Sequence, residues 1–153
     1  MNVPRLGRRG EGWVALQFVV LGVVLVAGFL PPGWPAAVRA TGVLVALAGA
    51  GFFAWSFRTL GPSMTPLPRP RAEAALVDRG PYRLVRHPIY GAGLIFAAGY
   101  ALATSPAALV PAALLVFVFA LKSRLEEAWL EERYSGYADY RRRTPRRFVP
   151  WLF

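Results

Sequence analysis

The chain has 153 residues, 56% of them hydrophobic and only 17% charged, with a formal net charge of +10 and a mean hydropathy of +0.39. Soluble domains carry about a quarter charged residues, so this composition excludes both an ordinary soluble globule and a disordered chain. With no cysteine there is no disulfide framework, thiolate nucleophile or Cys metal site, and the single His87 excludes a multi-histidine centre.

Charge-free tracts predict the elements in order. No Asp, Glu, Lys, Arg or His interrupts Gly12–Val38, Ala40–Phe57 or Pro88–Leu121, which run to 27, 18 and 34 residues. A helix needs about 20 apolar residues to cross the hydrocarbon core, so the first two tracts predict one span each, near 12–31 and 38–57. Pro31-Pro32-Gly33-Trp34-Pro35 turns the chain between them. The first tract has the basic flank of a signal peptide, but its uncharged stretch is longer than a signal's apolar region, which predicts an uncleaved anchor. The stretch 61–72, with Pro62, Pro66, Pro68 and Pro70, is expected to be an irregular cytoplasmic loop. As one helix the third tract would extend about 50 Å, well beyond a core of about 30 Å, so it must fold back. Thr104-Ser105-Pro106 supplies the turn, a hydroxyl residue at the N-cap followed by proline at the first helical position. Spans near 88–104 and 106–122 follow, the last continuing past Leu121 into charged sequence. The fold expected is all-α: one polytopic membrane domain over 1–153, four spans in two hairpins, and a cytoplasmic C-terminal amphipathic helix.

Seventeen of the 18 Lys and Arg fall on one side of such a topology and only Arg39 on the other. By the positive-inside bias, both termini and the 58–87 loop are cytoplasmic, in an inner-membrane protein. The same distribution argues against nucleic acid as the partner despite a pI near 11.2. Arg141-Arg142-Arg143 with Arg146-Arg147 is suited instead to anionic headgroups.

Because the hairpin 88–121 returns to the side it left, the polar segments 74–90 and 122–150 are brought to one membrane face. The first contains Leu76-Val77-Asp78-Arg79-Gly80-Pro81-Tyr82 and Arg86-His87-Pro88-Ile89-Tyr90; the second contains Glu126-Glu127-Ala128-Trp129-Leu130, then Tyr134, Tyr137 and Tyr140, and Pro145-Arg146 through Pro150. On a helix Glu126 lies one turn beyond Lys122 and shares its side, while Glu127 faces elsewhere.

In that order these motifs resemble the isoprenylcysteine carboxyl methyltransferase and phospholipid N-methyltransferase family of integral membrane enzymes, over about residues 74–150. The resemblance implies a small helical enzyme that binds S-adenosylmethionine at the cytoplasmic face and methylates a lipophilic small molecule or lipid arriving from the bilayer. It implies that Ala74, Ala75, Leu76 and Val77 lie along the cofactor, and that Tyr82 with His87, Pro88, Ile89 and Tyr90 forms its pocket. Glu126 would bind the cofactor's amino acid end, with Glu127 its paired carboxylate. Lys122 stands where the prenylcysteine branch has an arginine that touches the acceptor, and Gly91-Ala92-Gly93 matches the Gly-x-Gly of the phospholipid branch. Tyr134-Ser135-Gly136-Tyr137 departs from the usual spacing of that run.

The chemistry of such a cofactor suits these residue types. Glu126 can pair its ammonium, and Arg83 or Arg86 can fork onto its carboxylate. Tyr82, Tyr90 or Tyr137 can face the sulfonium, and Gly91 and Gly93 allow close approach. Methyl transfer is an in-line displacement that needs positioning and dryness and no protein nucleophile or metal. A carboxylate acceptor needs no base; an amine or hydroxyl does, and His87 or a glutamate is available. The catalytic set expected is therefore His87, Glu126 and Arg86. Two other classes fit the same topology: a membrane reductase of the sterol-reductase type using NADPH, and a non-catalytic helical membrane protein whose polar ends serve only topology.

Overall fold

The structure, a computed structural model, describes residues 3–31 and 33–150. Five α-helices carry the fold: α1 Glu11–Ala27, α2 Ala36–Leu60, α3 Pro88–Ala103, α4 Leu109–Arg133 and α5 Tyr137–Arg143. Short 3₁₀ turns stand at Gly61–Ser63, Gly80–Arg83 and Pro106–Ala108, and the described residues contain no strand. The all-α class expected from the charge pattern is the class observed.

Helix ends follow local chemistry. The hairpin turn forms as predicted: Ser105 Oγ accepts from the Ala107 N–H at 3.4 Å, and Pro106 occupies the first position of the turn. α3 starts with Pro88 at its first position, where a missing N–H costs nothing, and His87 before it is held out of the helical region. α4 runs unbroken past Leu121 to Arg133, as expected. The first helix stops at Ala27, short of the predicted 31, because Gly28 caps it and residues 28–30 form turns ahead of Pro31. Pro32 of the predicted turn lies outside the described residues. The expected C-terminal amphipathic helix is only seven residues long, since Gly136 precedes it and Pro145 follows. It is nonetheless two-faced: Tyr137 and Tyr140 are buried while Arg141, Arg142 and Arg143 are exposed.

Across the bundle the order is α2, α3, α4, α1. Lipid tails are as apolar as leucine, so helices in a bilayer associate through close backbone packing rather than through expulsion of water. α2 and α3 do this with glycine. A Cβ placed on Gly42 would overlap the backbone of Leu102 and Ala103, one on Gly49 the backbone of Phe96, and one on Gly99 the backbone of Ala46. Any larger side chain there would push the pair apart. α1 instead lays Trp13, Val20 and Val24 against Leu115, Val118, Phe119, Leu125 and Trp129 of α4. The opposite face of α1 exposes Phe18, Val19, Val23 and Val26, an arrangement suited to lipid.

α2 with its following turn, Ala36–Ser63, and α4 with its preceding turn, Pro106–Arg133, are long and apolar enough to cross a membrane. α1 and α3 are equally apolar but shorter, at 17 and 16 residues. The turns far from the charged segments are tied together by Trp34 Nε1 donating to the Ala101 carbonyl at 3.1 Å, Arg39 Nε to that of Ala103 at 3.3 Å, and Ser105 Oγ to that of Pro31 at 3.2 Å. The other end of the bundle is left to build a site.

Candidate active site

At that end a cavity of about 300 Å³ opens among α1, α3, α4, α5 and the loop after α2. The loop enters it as a strip. Ala74, Ala75, Leu76 and Val77 line the wall, held by Tyr134 Oη donating to the Ala74 carbonyl at 2.5 Å and by Ser63 Oγ accepting from the Ala75 N–H at 3.2 Å. The 3₁₀ turn that follows needs Gly80 at φ +58°, a conformation natural to glycine, and presents Tyr82 to the cavity. Tyr140 Oη donates to the Tyr82 carbonyl at 2.8 Å, fixing α5 against this turn.

His87, Pro88, Ile89, Tyr90 and Gly93 continue the wall along α3, facing Lys122, Glu126 and Leu130, which are spaced one turn apart on α4. Tyr90 Oη donates to Glu126 Oε2 at 2.5 Å. Lys122, fully buried, donates to Gln17 Oε1 at 2.5 Å and to the Pro66 carbonyl at 2.9 Å, with its ammonium 5.1 Å from the centre of the Tyr90 ring. Tyr137 closes the far side, and among the described residues its hydroxyl is the buried side-chain polar atom that lacks a hydrogen-bond partner. Burial, followed by the negative charge of the glutamates, pushes the Tyr82 and Tyr137 phenols well above their usual range, so both stay neutral donors.

The two adjacent glutamates have different surroundings. Glu126 keeps a quarter of its side chain exposed and lies on the cavity wall. Glu127 turns away into a buried cluster: Oε1 accepts from Arg86 Nε at 2.8 Å and lies 3.0 Å from His87 Nε2, while Oε2 meets Arg147 at 3.4 Å. Arg86 also donates to the carbonyls of Thr144 at 2.8 Å and Pro145 at 2.6 Å. The backbone N–H groups of Arg86 and His87 donate to the carbonyls of Arg146 and Arg147 at 3.0 and 2.8 Å, so residues 144–148 are strapped across the start of α3. Gly91 is where that strap crosses: a Cβ there would overlap the Phe148 carbonyl.

Most residues singled out in the sequence therefore meet at one cavity. Arg83, Gly91 and Glu127 do not lie on its wall: Arg83 is exposed, Gly91 packs on the strap, and Glu127 anchors it. Arg86 reaches the wall with its guanidinium spent on Glu127 and the strap. The cavity also includes residues the sequence reading left out, chiefly Gln17, Phe18 and Leu21 of α1 and Phe53 of α2. Gln17 carried a signal, being the lone amide in the uncharged tract 12–38. Among the described residues no three His, Asp or Glu are grouped to hold a metal ion.

Residues 37–136 match the phospholipid methyltransferase family, a stretch that holds α2, the strip 74–77, His87, Tyr90 and both glutamates. The chain belongs to that family. It is also 37% identical over 86 residues to the cobalt-zinc-cadmium resistance protein CzcN of Cupriavidus metallidurans, covering 54% of this chain and 38% of that protein. This chain thus spans well under half of that relative's length. As a family member with two helices long and apolar enough to cross a bilayer, it is a membrane protein. α1, α5 and the strap, and with them Gln17, Tyr137 and Phe148, lie outside the matched residues.

Proposed function

We propose that the protein is an S-adenosylmethionine-dependent membrane methyltransferase whose acceptor is lipophilic or amphiphilic: the carboxylate of a prenylcysteine-like thioether acid, or a lipid amine. The observation that carries this is the composition of one cavity, where a half-exposed strip of backbone, a carboxylate, buried tyrosines and an unpartnered hydroxyl converge. Bound there, the cofactor would supply an electrophilic methyl group on a sulfonium. Glu126 would hold its ammonium, the strip Ala74–Val77 would lie along it, and the Tyr137 hydroxyl would gain the partner it lacks. Tyr82 would offer an aromatic face to the sulfonium, a contact worth about 0.5–2 kcal/mol. Lys122 would meet the acceptor's head, and Gly93, whose Cβ would touch only the Phe119 ring, leaves α3 smooth beside it. Tyr90 stacks on Phe119 and lies against Phe148, an apolar side of the site suited to keeping water from the methyl group.

The acceptor's entrance follows from exposure. Phe18 of α1 and Phe53 of α2 line the cavity yet are 59% and 41% exposed, so that flank faces what surrounds the bundle, which for this protein is lipid. An amphiphile can then slide its tail between them while its head stays at the interface.

Calorimetry on detergent-purified protein should show binding of S-adenosylmethionine and S-adenosylhomocysteine and none of NADPH; the reverse pattern would install the reductase reading. Orientation belongs to the same proposal, with four spans and both termini in the cytoplasm. Arg79→Cys and Ser135→Cys are expected to react with an impermeant thiol reagent only when it is given access to the cytoplasmic side. Labelling of the two from opposite sides would separate the segments that the site requires together.

A further inference from the structure

We propose that Glu127 and His87 form a proton-accepting pair, with Glu127 as the positioning residue, and that the acceptor is accordingly a nucleophile with a proton to lose, an amine or a hydroxyl. The geometry around His87 is specific. Glu127 Oε1 accepts from Arg86 Nε at 2.8 Å and its other oxygen meets Arg147 at 3.4 Å, so it is a carboxylate with no proton to give. Its contact with His87 Nε2 at 3.0 Å therefore requires Nε2 to be the donor. In the neutral ring Nδ1 is then the basic nitrogen. Nδ1 stands 3.8 Å from Glu126 Oε2, beyond hydrogen-bond reach, and Glu126 already accepts from Tyr90 at 2.5 Å.

Packing holds the ring in that orientation. It stacks parallel to Tyr90 with centroids 5.3 Å apart and is flanked by Phe148 at 6.1 Å. His87 is buried but lies on the cavity wall, so its uncommitted edge serves the cavity. The charged and titratable groups around it are Arg86 beside it in the chain, Tyr90 on its own helix, Glu126, Glu127 and Lys122 on α4, Tyr137 on α5, and Arg147 on the strap. A carboxylate acceptor would need neither a base nor this orientation, and would look for a cation. Of the two cationic side chains on the wall, Arg86 is spent on Glu127 and two carbonyls, and Lys122 already donates to Gln17 and the Pro66 carbonyl, which leaves it one N–H for the acceptor's head.

The step balances. The acceptor's nitrogen or oxygen bonds to the methyl carbon, the methyl–sulfur bond breaks with its electron pair left on sulfur, and the acceptor's proton passes to His87 Nδ1. Glu127 stabilises the resulting imidazolium without taking the proton, the role a carboxylate behind a histidine plays in hydrolytic triads.

The inference rests on the methyltransferase reading for its reaction, yet its geometric core can be tested without cofactor. His87 is the only histidine in the chain, so imidazole nitrogen NMR of histidine-labelled protein in detergent reports this one ring. In its neutral form the ring is expected to carry its proton on Nε2, giving way to a mixture of tautomers in Glu127→Gln, whose amide can donate or accept. An Nδ1–H tautomer, or a ring that stays protonated at every pH where methyl transfer is observed, would overturn the proposal. The wild-type spectrum decides this even if the variant fails to fold. In membranes given methyl-labelled S-adenosylmethionine, the labelled product is expected to survive mild base, as amines and ethers do; a base-labile methyl ester would also overturn it. Absence of S-adenosylmethionine binding with the Nε2–H tautomer present would remove the methyltransferase reading and leave the pair standing.

Discussion

Arg86→Ala is expected to lower the stability of the detergent-solubilised protein by about 3–5 kcal/mol, the range for removing one partner of a buried ion pair. The size follows from what the guanidinium holds. It donates to Glu127 and to the carbonyls of Thr144 and Pro145, with side-chain exposures of 6% for Arg86 and 7% for Glu127. Truncation leaves the Glu127 charge facing only His87 and the longer contact with Arg147, and two strap carbonyls lose their donor. A pair replaced as a unit behaves differently: Arg86→Met with Glu127→Leu leaves no orphan charge and should recover much of the loss, although His87 is then released. Arg86→Lys should recover less than its charge suggests, since a single ammonium cannot reproduce the fork onto three acceptors. Denaturant unfolding of the three variants measures this. Equal stability of Arg86→Ala and wild type would mean that the strap is not held through this residue.

The same cluster shows where the sequence was legible and where it was not. Tracts without charge and the turn chemistry of Thr104-Ser105-Pro106 were enough to place the helices of the second hairpin, and topology alone brought 74–90 to the segment beginning at 122. Adjacent carboxylates are a harder problem. Successive residues on a helix point about 100° apart, so Glu126 and Glu127 must face different surroundings, but which one faces a cavity depends on how α4 is rotated against α3. Arg86 is ambiguous for a related reason, since a guanidinium spent on carbonyls of 144–145 requires knowing that the C-terminal segment crosses there. The same crossing makes Gly91 a packing residue while Gly93, two positions on, lies on the cavity wall. Gln17 was missed because α1 looked like a plain span, and only the approach of α1 to α4 gives its amide a partner, the Lys122 ammonium. The early end of α1 is a matter of Gly28 and the proline turn prevailing over an apolar pattern that continues to Leu30.

Glu126→Gln is expected to weaken S-adenosylmethionine and S-adenosylhomocysteine at least tenfold, about 1.4 kcal/mol, while leaving the fold intact. Both ligands carry an amino acid ammonium, so both should lose affinity; a loss confined to S-adenosylmethionine would point to the sulfonium as the partner of this carboxylate instead. The fold should survive because the amide oxygen can still accept from Tyr90 Oη, and because the buried Lys122 ammonium one turn away keeps its bonds to Gln17 and the Pro66 carbonyl. This separates Glu126 from its neighbour, where Glu127→Gln removes the counter-ion of Arg86 and should cost stability. Calorimetry of ligand binding and denaturant unfolding, run on both variants, therefore cross: affinity falls in one and stability in the other. If Glu126→Gln bound both ligands as tightly as wild type, the carboxylate on the cavity wall would serve Tyr90 alone, and the cofactor's ammonium would have to be held elsewhere.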